Sequence, residues 1–392
     1  MATEVESRRL AEHDASAEGH RYNDDLLMNP GDLDRAQKAF PSVAHVLDHP
    51  ALRDEFRRFD VPANAAKKRS RVAGLFAIGA GAVSLALAAA TPVYRGSPHI
   101  WVFGLIAAFL GVVSILIGFG GVLYAGAKRR WLHNRVMTER LRQFHFQAFV
   151  CRWREIAASR DGTQTAKDYA EQRQDWFHKF LATLPVRLDS ELTDLLDDES
   201  PSRCWLHPLP RPPAPDQATS GLDELFSAYR DLRIMHQIHY ANTKLRRAQD
   251  MFSWSPRLQE VTFSYTLLLC ILVIFAIHLW IALSILVGTR IPGLQPFLFD
   301  YESTTAGIDV HIWVIWVAIV ALAFRALQEG LQPEREIERY RHYRAGIRAI
   351  RDRFDQASSP AEKFEVMQEM ERLTFDEFVN FLRSNDEARF II

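Results

Sequence analysis

Four apolar runs constrain this chain more than any other feature. They are Val72–Val93, Trp101–Ala127, Thr262–Gly288 and Val310–Leu327, and they carry almost no charge. At about 1.5 Å rise per residue the first is about 33 Å long, enough for a hydrocarbon core of about 30 Å. A buried helix of a soluble protein rarely runs past about twenty residues without a polar face. The runs therefore predict four membrane spans. Mean hydropathy is only -0.12 because the apolar residues are bunched.

The spans form two hairpins. The outer connection of the first is short, 94–100, and that of the second is longer, 289–309. The inner flanks hold Lys67, Lys68, Arg69, Arg71, Lys128, Arg129, Arg130 and Arg135 in the first pair. The second pair has Lys244, Arg246, Arg247, Arg257, Arg325, Arg335, Arg339, Arg341 and Arg344. The outer loops hold only Arg95 and Arg290. This asymmetry places both termini and the middle of the chain in the cytoplasm. Trp101, Trp280, Trp313 and Trp316 lie toward the outer ends of their runs, as an aromatic belt would. The first twenty residues are polar and acidic, so no cleaved signal peptide is expected.

Small residues recur at spacings of three and four along the first hairpin. Gly74, Ala77, Gly81, Ser84, Ala88 and Thr91 mark the first span. Gly104, Ala107, Gly111, Ser114, Gly118, Gly121 and Ala125 mark the second. Lipid offers no hydrophobic drive for helices to associate, so such seams permit close backbone approach. They predict a tight hairpin, and a homo-oligomer if a seam also meets a neighbouring subunit. The second hairpin is bulky and has no comparable seam.

The rest of the chain reads as helical, with no alternation that predicts a strand. The fold class is an all-α integral membrane protein whose two hairpins join long cytoplasmic helices and helical hairpins. An N-terminal region and entry helix fill 1–71, the first hairpin 72–127 and charged helices 128–198. A Pro-rich linker at 199–219 divides the chain. A second entry helix fills 220–261, the second hairpin 262–327 and a helical hairpin 328–392. Within 131–158, Leu141, Phe144, Ala148 and Cys151 form one apolar stripe, and a break follows at Asp161-Gly162. Tyr340, Tyr343, Ile347, Ile350 and Phe354 keep a heptad rhythm. Ser359-Pro360-Ala361-Glu362 is a capping box that opens the last helix. The plan is duplicated: Ala63-Asn64 followed by Lys67 precedes the first hairpin, and Ala241-Asn242 followed by Lys244 precedes the second.

No catalytic constellation is legible. There is no Gly-rich phosphate loop and no nucleophile elbow. Lys and Arg number 47 against 48 Asp and Glu, which leaves no general basic face for nucleic acid. His236 and His239 stand one turn apart, and Cys204 with His207 would complete four zinc ligands. Solvated or capping histidines are the plainer reading, and no cofactor is expected. His278 is the titratable side chain deepest in a span; interfacial hydrogen bonding is the favoured reading over a proton relay. The spans contain no carboxylate and no unwinding proline, so a coupled transporter ranks below a pore. A membrane scaffold for a cytoplasmic partner is a further alternative, and a surface enzyme ranks last.

Three stretches carry a family resemblance. In Trp131-Leu-His-Asn-Arg135-Val-Met-Thr-Glu139-Arg-Leu-Arg142, the order of Trp, Arg, Glu and a basic residue resembles the segment after the second span of SLATT-type proteins. Tyr240-Ala-Asn-Thr-Lys244 resembles the helix before their first span. The run from Glu371 through Glu377 to Phe381 looks like their closing Glu-rich helix. These are two-transmembrane effectors associated with bacterial nucleotide-signalling (SMODS) and SLOG-sensor systems. The resemblance implies a non-enzymatic pore-forming or membrane-perturbing effector of anti-phage defence, multi-pass in the cytoplasmic membrane. Its implied partners are the lipid bilayer, further copies of itself and an upstream sensor or signalling protein. It implies no catalytic residues. This chain differs in having two hairpins, a Pro-rich divider and an unmatched stretch at 160–220.

Overall fold

The computed structural model describes residues 24–91, 98–160, 162–183, 192, 193, 195, 204–209, 222–251, 265, 272, 275, 279 and 305–387. His278, Cys270, most of the third apolar run and both outer loops lie outside them. Nearly all the described residues are helical, and none of them is in a strand. After a 3-10 turn at Asp24–Leu26 the helices are α1 Pro30–Ala39, α2 Ala44–Leu47, α3 Pro50–Ala89 and α4 Ile100–Cys151. They continue as α5 Trp153–Ala158, α6 Thr163–Thr183 and α7 Asp223–Tyr229. A π-helical turn, Arg230–Met235, leads into α8 His236–Met251. The series closes with α9 Thr305–Leu331, α10 Pro333–Gln356 and α11 Pro360–Glu387.

The chain divides into two compact units. The larger comprises 1–66, 129–251 and 335–387; the second is built from 67–128 and 252–334, with the last five residues of the chain.

The second unit holds the apolar runs. Two helices, α3 and α4, are long and apolar enough to cross a membrane, and α9 carries a shorter apolar stretch, Ile315–Leu327. All but Val61 and Leu209 of the exposed large hydrophobic side chains fall in this unit, Phe109, Leu116 and Phe324 among them. A soluble domain does not leave so much contiguous apolar surface in water.

The first two runs pack antiparallel through the small-residue seam. Ser84 Oγ donates to the Ala107 carbonyl at 2.7 Å, and Ser114 Oγ donates to the Ala77 carbonyl at 2.9 Å. Each helix thus gives a hydroxyl to the other's backbone, which only small flanking residues allow. Trp316 of α9 donates its indole N–H to the Ala86 carbonyl of α3 at 3.0 Å.

The larger unit is built around α4. The sequence pattern gives 131–151 one apolar stripe, yet almost every side chain from Val136 to Cys151 is buried, including Arg140, Arg142, Gln143, His145 and Gln147. Helices from both halves of the chain surround this segment, so its polar residues are enclosed along with its apolar ones. α10 and α11 form the expected antiparallel hairpin. Arg353 pairs with Glu369, and Leu373 lies where a Cβ on Gly346 would meet it at 3.0 Å. The heptad residues Tyr340, Tyr343, Ile347, Ile350 and Phe354 are all buried. Ser359 and Glu362 cap α11 reciprocally, each side chain bonded to the other's backbone N–H at 3.3 Å.

Two expectations are corrected here. The 199–219 stretch is not all linker: Cys204 and His207 are buried, and Gln147 binds both the Cys204 carbonyl and the Leu206 N–H at 2.8 Å. A buried amide that donates and accepts in this way fixes the chain to α4. The entry helix predicted over 220–261 is not a uniform α-helix, since it carries the π-helical turn Arg230–Met235.

Candidate functional site

The candidate site is a set of charges closed inside the larger unit. Arg135, Glu139 and Arg142 lie at i, i+4 and i+7 on α4, one above another on a single face. Arg135 Nη2 is 2.6 Å from Glu139 Oε1, and Arg142 Nη1 donates to the same carboxylate at 2.8 and 3.0 Å. Arg142 Nε lies 2.8 Å from Asp25 Oδ2, with both side chains essentially fully buried. Burial alone would raise the Glu139 pKa, but Arg135 and Arg142 more than offset it and hold the carboxyl below its ordinary value. Two arginines and two carboxylates therefore balance as an alternating ladder. Charges enclosed in this way persist only when paired.

A second ion pair joins the π-helical turn to α11. Arg233 Nε and Nη2 grip the Glu371 carboxylate at 2.9 and 3.0 Å, the two-pronged geometry that a planar guanidinium favours. Tyr229 Oη donates to Glu371 Oε1 at 2.7 Å, and Arg233 Nη2 donates to Thr374 Oγ1 at 3.0 Å. The Arg233 guanidinium also stands over the Phe146 ring at 4.7 Å. Burial, reinforced by Glu371, raises the Tyr229 pKa well above its usual value and keeps the phenol a donor.

Between the two pairs is a cavity of about 40 Å³, walled by Arg135 and Glu139 of α4, Arg233 of the turn, Tyr240 of α8 and Glu377 of α11. Glu377 faces Arg339 of α10, Nη1 to Oε1 at 3.2 Å. Burial outweighs Arg339, and Glu139 and Glu336 add repulsion, so the Glu377 carboxyl is pushed up to about 7. Tyr240 Oη and Tyr340 Oη lie 3.3 Å apart, and Lys244 Nζ stands 5.3 Å from the Tyr240 ring. Phe381 closes the cavity and meets Trp131 edge to face at 6.0 Å.

The residues of the three short motifs therefore converge, although they come from parts of the chain up to 250 positions apart. Arg135, Glu139, Tyr240 and Glu377 line one cavity. Arg142 joins it through Glu139, Glu371 through Arg233, Trp131 through Phe381 and Lys244 through Tyr240. Sequence reading missed Asp25, Tyr229, Arg233, Thr374 and Arg339. Apart from Asp25, in the 3-10 turn, their only signal is a charge or hydroxyl on the apolar face of a helix, which marks a buried partner only once the partner is known.

The other singled-out residues are elsewhere. His207 donates Nε2 to the Phe144 carbonyl at 3.0 Å, and burial lowers its pKa to about 4. His236 Nε2 is 3.8 Å from Asp25 Oδ1. Among the described residues no group of three or more His, Cys, Asp or Glu stands close enough to hold a metal, so the four-ligand set is not assembled. Burial pushes the Cys151 and Cys204 thiols up to about 12, far from the thiolate that attack requires.

In the second unit Gly74 and Gly81 are buried in the hairpin, and a Cβ on Gly111 would come 2.9 Å from Ser84 Oγ. A Cβ on Gly104 or Gly118 would meet nothing within 4 Å. Of these glycines, Gly111 is thus in contact with the other helix, and Gly104 and Gly118 are open. The surroundings of Gly121 lie outside the described residues. Comparison with protein-family models, with curated proteins and with solved structures found no match to this chain.

Proposed function

We propose that this chain is a four-span protein of the cytoplasmic membrane, with both termini and the larger unit in the cytoplasm. It assembles as a homo-oligomer and acts as a SLATT-like effector that opens a leak when a cytoplasmic sensor or signalling partner engages it. The observation that carries this reading is segregation. Nearly all exposed large apolar side chains belong to the unit built from the apolar runs, while the family-like motif residues meet in a closed polar core in the other. The chain passes between the two units at five places, so a rearrangement of the polar core can be transmitted to the spans. Gly104 and Gly118, open in the single chain, are where a neighbouring subunit's helix would pack. The carboxyl and thiol groups described above offer no activated nucleophile, which favours a pore over an enzyme.

The test is strong induction in bacterial cells carrying a membrane-potential dye. A second strain carries Tyr343→Asp with Ile347→Asp, which places two charges in the buried face of α10. Depolarisation and arrested growth with the wild type, relieved in the variant, support the effector. A wild type that leaves cells polarised, even during phage infection beside its genomic neighbours, replaces this reading with that of a membrane scaffold.

A further inference from the structure

A second and larger cavity, of about 420 Å³, lies within the larger unit. That volume falls in the range of about 300–1,000 Å³ typical of small-molecule sites. Its wall is the π-helical turn, which contributes Arg230, Asp231, Leu232 and Met235. A π-turn admits an extra residue at the expense of regular helical bonding, and such turns occur frequently at functional sites. Leu27 on the opposite side has φ of 52°. That is the left-handed region, uncommon for a non-glycine side chain, and strain of this kind is held by its surroundings and clusters at ligand sites. Two independent backbone irregularities therefore frame one cavity, and His236 and His239 line it too.

The lining indicates the kind of ligand. The floor is apolar and includes Phe40, Leu232 and Met235, a ring, a branched chain and a thioether suited to a flat aromatic body. The acids at the rim are already engaged. Asp32 accepts from the Asn29 backbone N–H at 3.0 Å, from Asn29 Nδ2 at 2.8 Å and from Arg35. Asp231 lies 3.4 Å from Arg230, which Asp355 holds from behind at 2.7 and 2.9 Å. Arg35 has a side chain 74 % exposed and touches Asp32 through one nitrogen, so most of its five N–H donors face outward. We propose that this cavity binds a small aromatic anion, its ring on the Phe40, Leu232 and Met235 floor and its carboxylate or other anionic group against Arg35. The inference goes beyond the membrane reading and does not rest on it, because the cavity belongs to one unit and binding is measured without any leak.

The test uses the full chain in lipid nanodiscs, titrated calorimetrically with three probes of one shape: 2-naphthoate, neutral 2-naphthalenemethanol and cationic 2-naphthylmethylamine. Empty nanodiscs give the background. Saturable binding of one naphthoate per chain, about tenfold tighter than the neutral probe, is expected from a charge-assisted contact. Arg35→Gln should remove that preference and keep the neutral probe's affinity. Ala39→Trp, which fills the opening from an exposed position, should abolish binding of all three. Both positions are at the surface, so the melting curves should match the wild type. Equal affinity for the three probes, absence of saturable binding, or wild-type naphthoate binding in both variants would each overturn the proposal.

Discussion

Glu139 and Glu377 line the same small cavity, yet burial acts on them with opposite results. Glu139 lies between two arginines and keeps its charge, whereas Glu377 has only Arg339 to oppose burial and the repulsion of Glu139 and Glu336. Two carboxyls pushed apart in this way leave one of them to titrate near neutrality. The folded carboxyl of Glu377 sits at about 7 against an ordinary 4.5. A raised carboxyl stabilises the fold below its unfolded value, and the contribution is lost as pH rises through its folded value. A shift of that size corresponds to about 3 kcal/mol. Glu377→Gln, which mimics the protonated form, should therefore melt well above the wild type at pH 8 and level with it near pH 4.5. Parallel melting curves across that window would remove Glu377 as the titrating group. Arg233 and Glu371 obey a different rule. Arg233→Ala leaves a buried carboxylate unpaired and should cost about 3–5 kcal/mol, whereas Arg233→Met with Glu371→Met together should recover much of that loss in thermal melts. Additive losses would show that the pair is not coupled. The sequence exposes Glu371 and Glu377 through a short motif and hides Arg233, because its carboxylate partner lies 138 positions away.

Helices and their ends were largely legible from local pattern. The capping box at Ser359, the heptad face of α10 and the antiparallel partner α11 all follow from three-four spacing and from a Pro at the first helical position. The π-helical turn was not, since Arg230–Met235 has the composition of an ordinary helix. The small-residue seam was legible in part. Spacing marks which side chains are small, but it does not show which of them meet the partner helix: Gly111 does, and a Cβ on Gly118 would meet nothing within 4 Å. The two glycines therefore separate what spacing alone treats as equal. Gly111→Leu should weaken the hairpin by about 1–3 kcal/mol, the usual cost of overpacking a tight contact. Gly118→Leu should leave the melting of a monomer in detergent unchanged and reduce the oligomer seen by crosslinking in membranes. Equal loss of melting temperature at both positions would mean that the helices stay in contact past Ser114. Ser84→Ala and Ser114→Ala should each cost about 0.6 kcal/mol, the average found for hydrogen bonds between membrane helices.

At the scale of the whole molecule, the sequence suggests a duplicated plan, and the larger unit holds the flanking helices of both copies. Ala63 packs in a cluster with Trp131 and Leu132, so the helix entering the first hairpin meets the helix leaving it. Tyr240 of α8 meets Tyr340 of α10, the helices on either side of the third and fourth apolar runs. One polar core gathers residues from three distant motifs because the segments on either side of both pairs of apolar runs belong to the same unit. What the repeat does not encode is how the two halves interlock: Ser42 Oγ donates to Glu224 Oε2 at 2.6 Å, and the Arg233 guanidinium stands over the Phe146 ring. The same two-hairpin plan makes the topology testable. If both hairpins enter and leave on one side, basic residues should flank them on the cytoplasmic side only, as the contrast between the inner flanks and the two outer loops requires. Single cysteines placed by Ser97→Cys and Ser303→Cys should react with a membrane-impermeant maleimide in intact cells. Leu10→Cys and Pro210→Cys should react only after permeabilisation. Native Cys151 and Cys204 are buried and give little background. Labelling at 97 without labelling at 303 would mean that the second apolar pair does not span, and would leave a single hairpin carrying a large helical unit. Labelling at 210 in intact cells would invert the orientation and place the polar core outside, where no cytoplasmic signal could reach it.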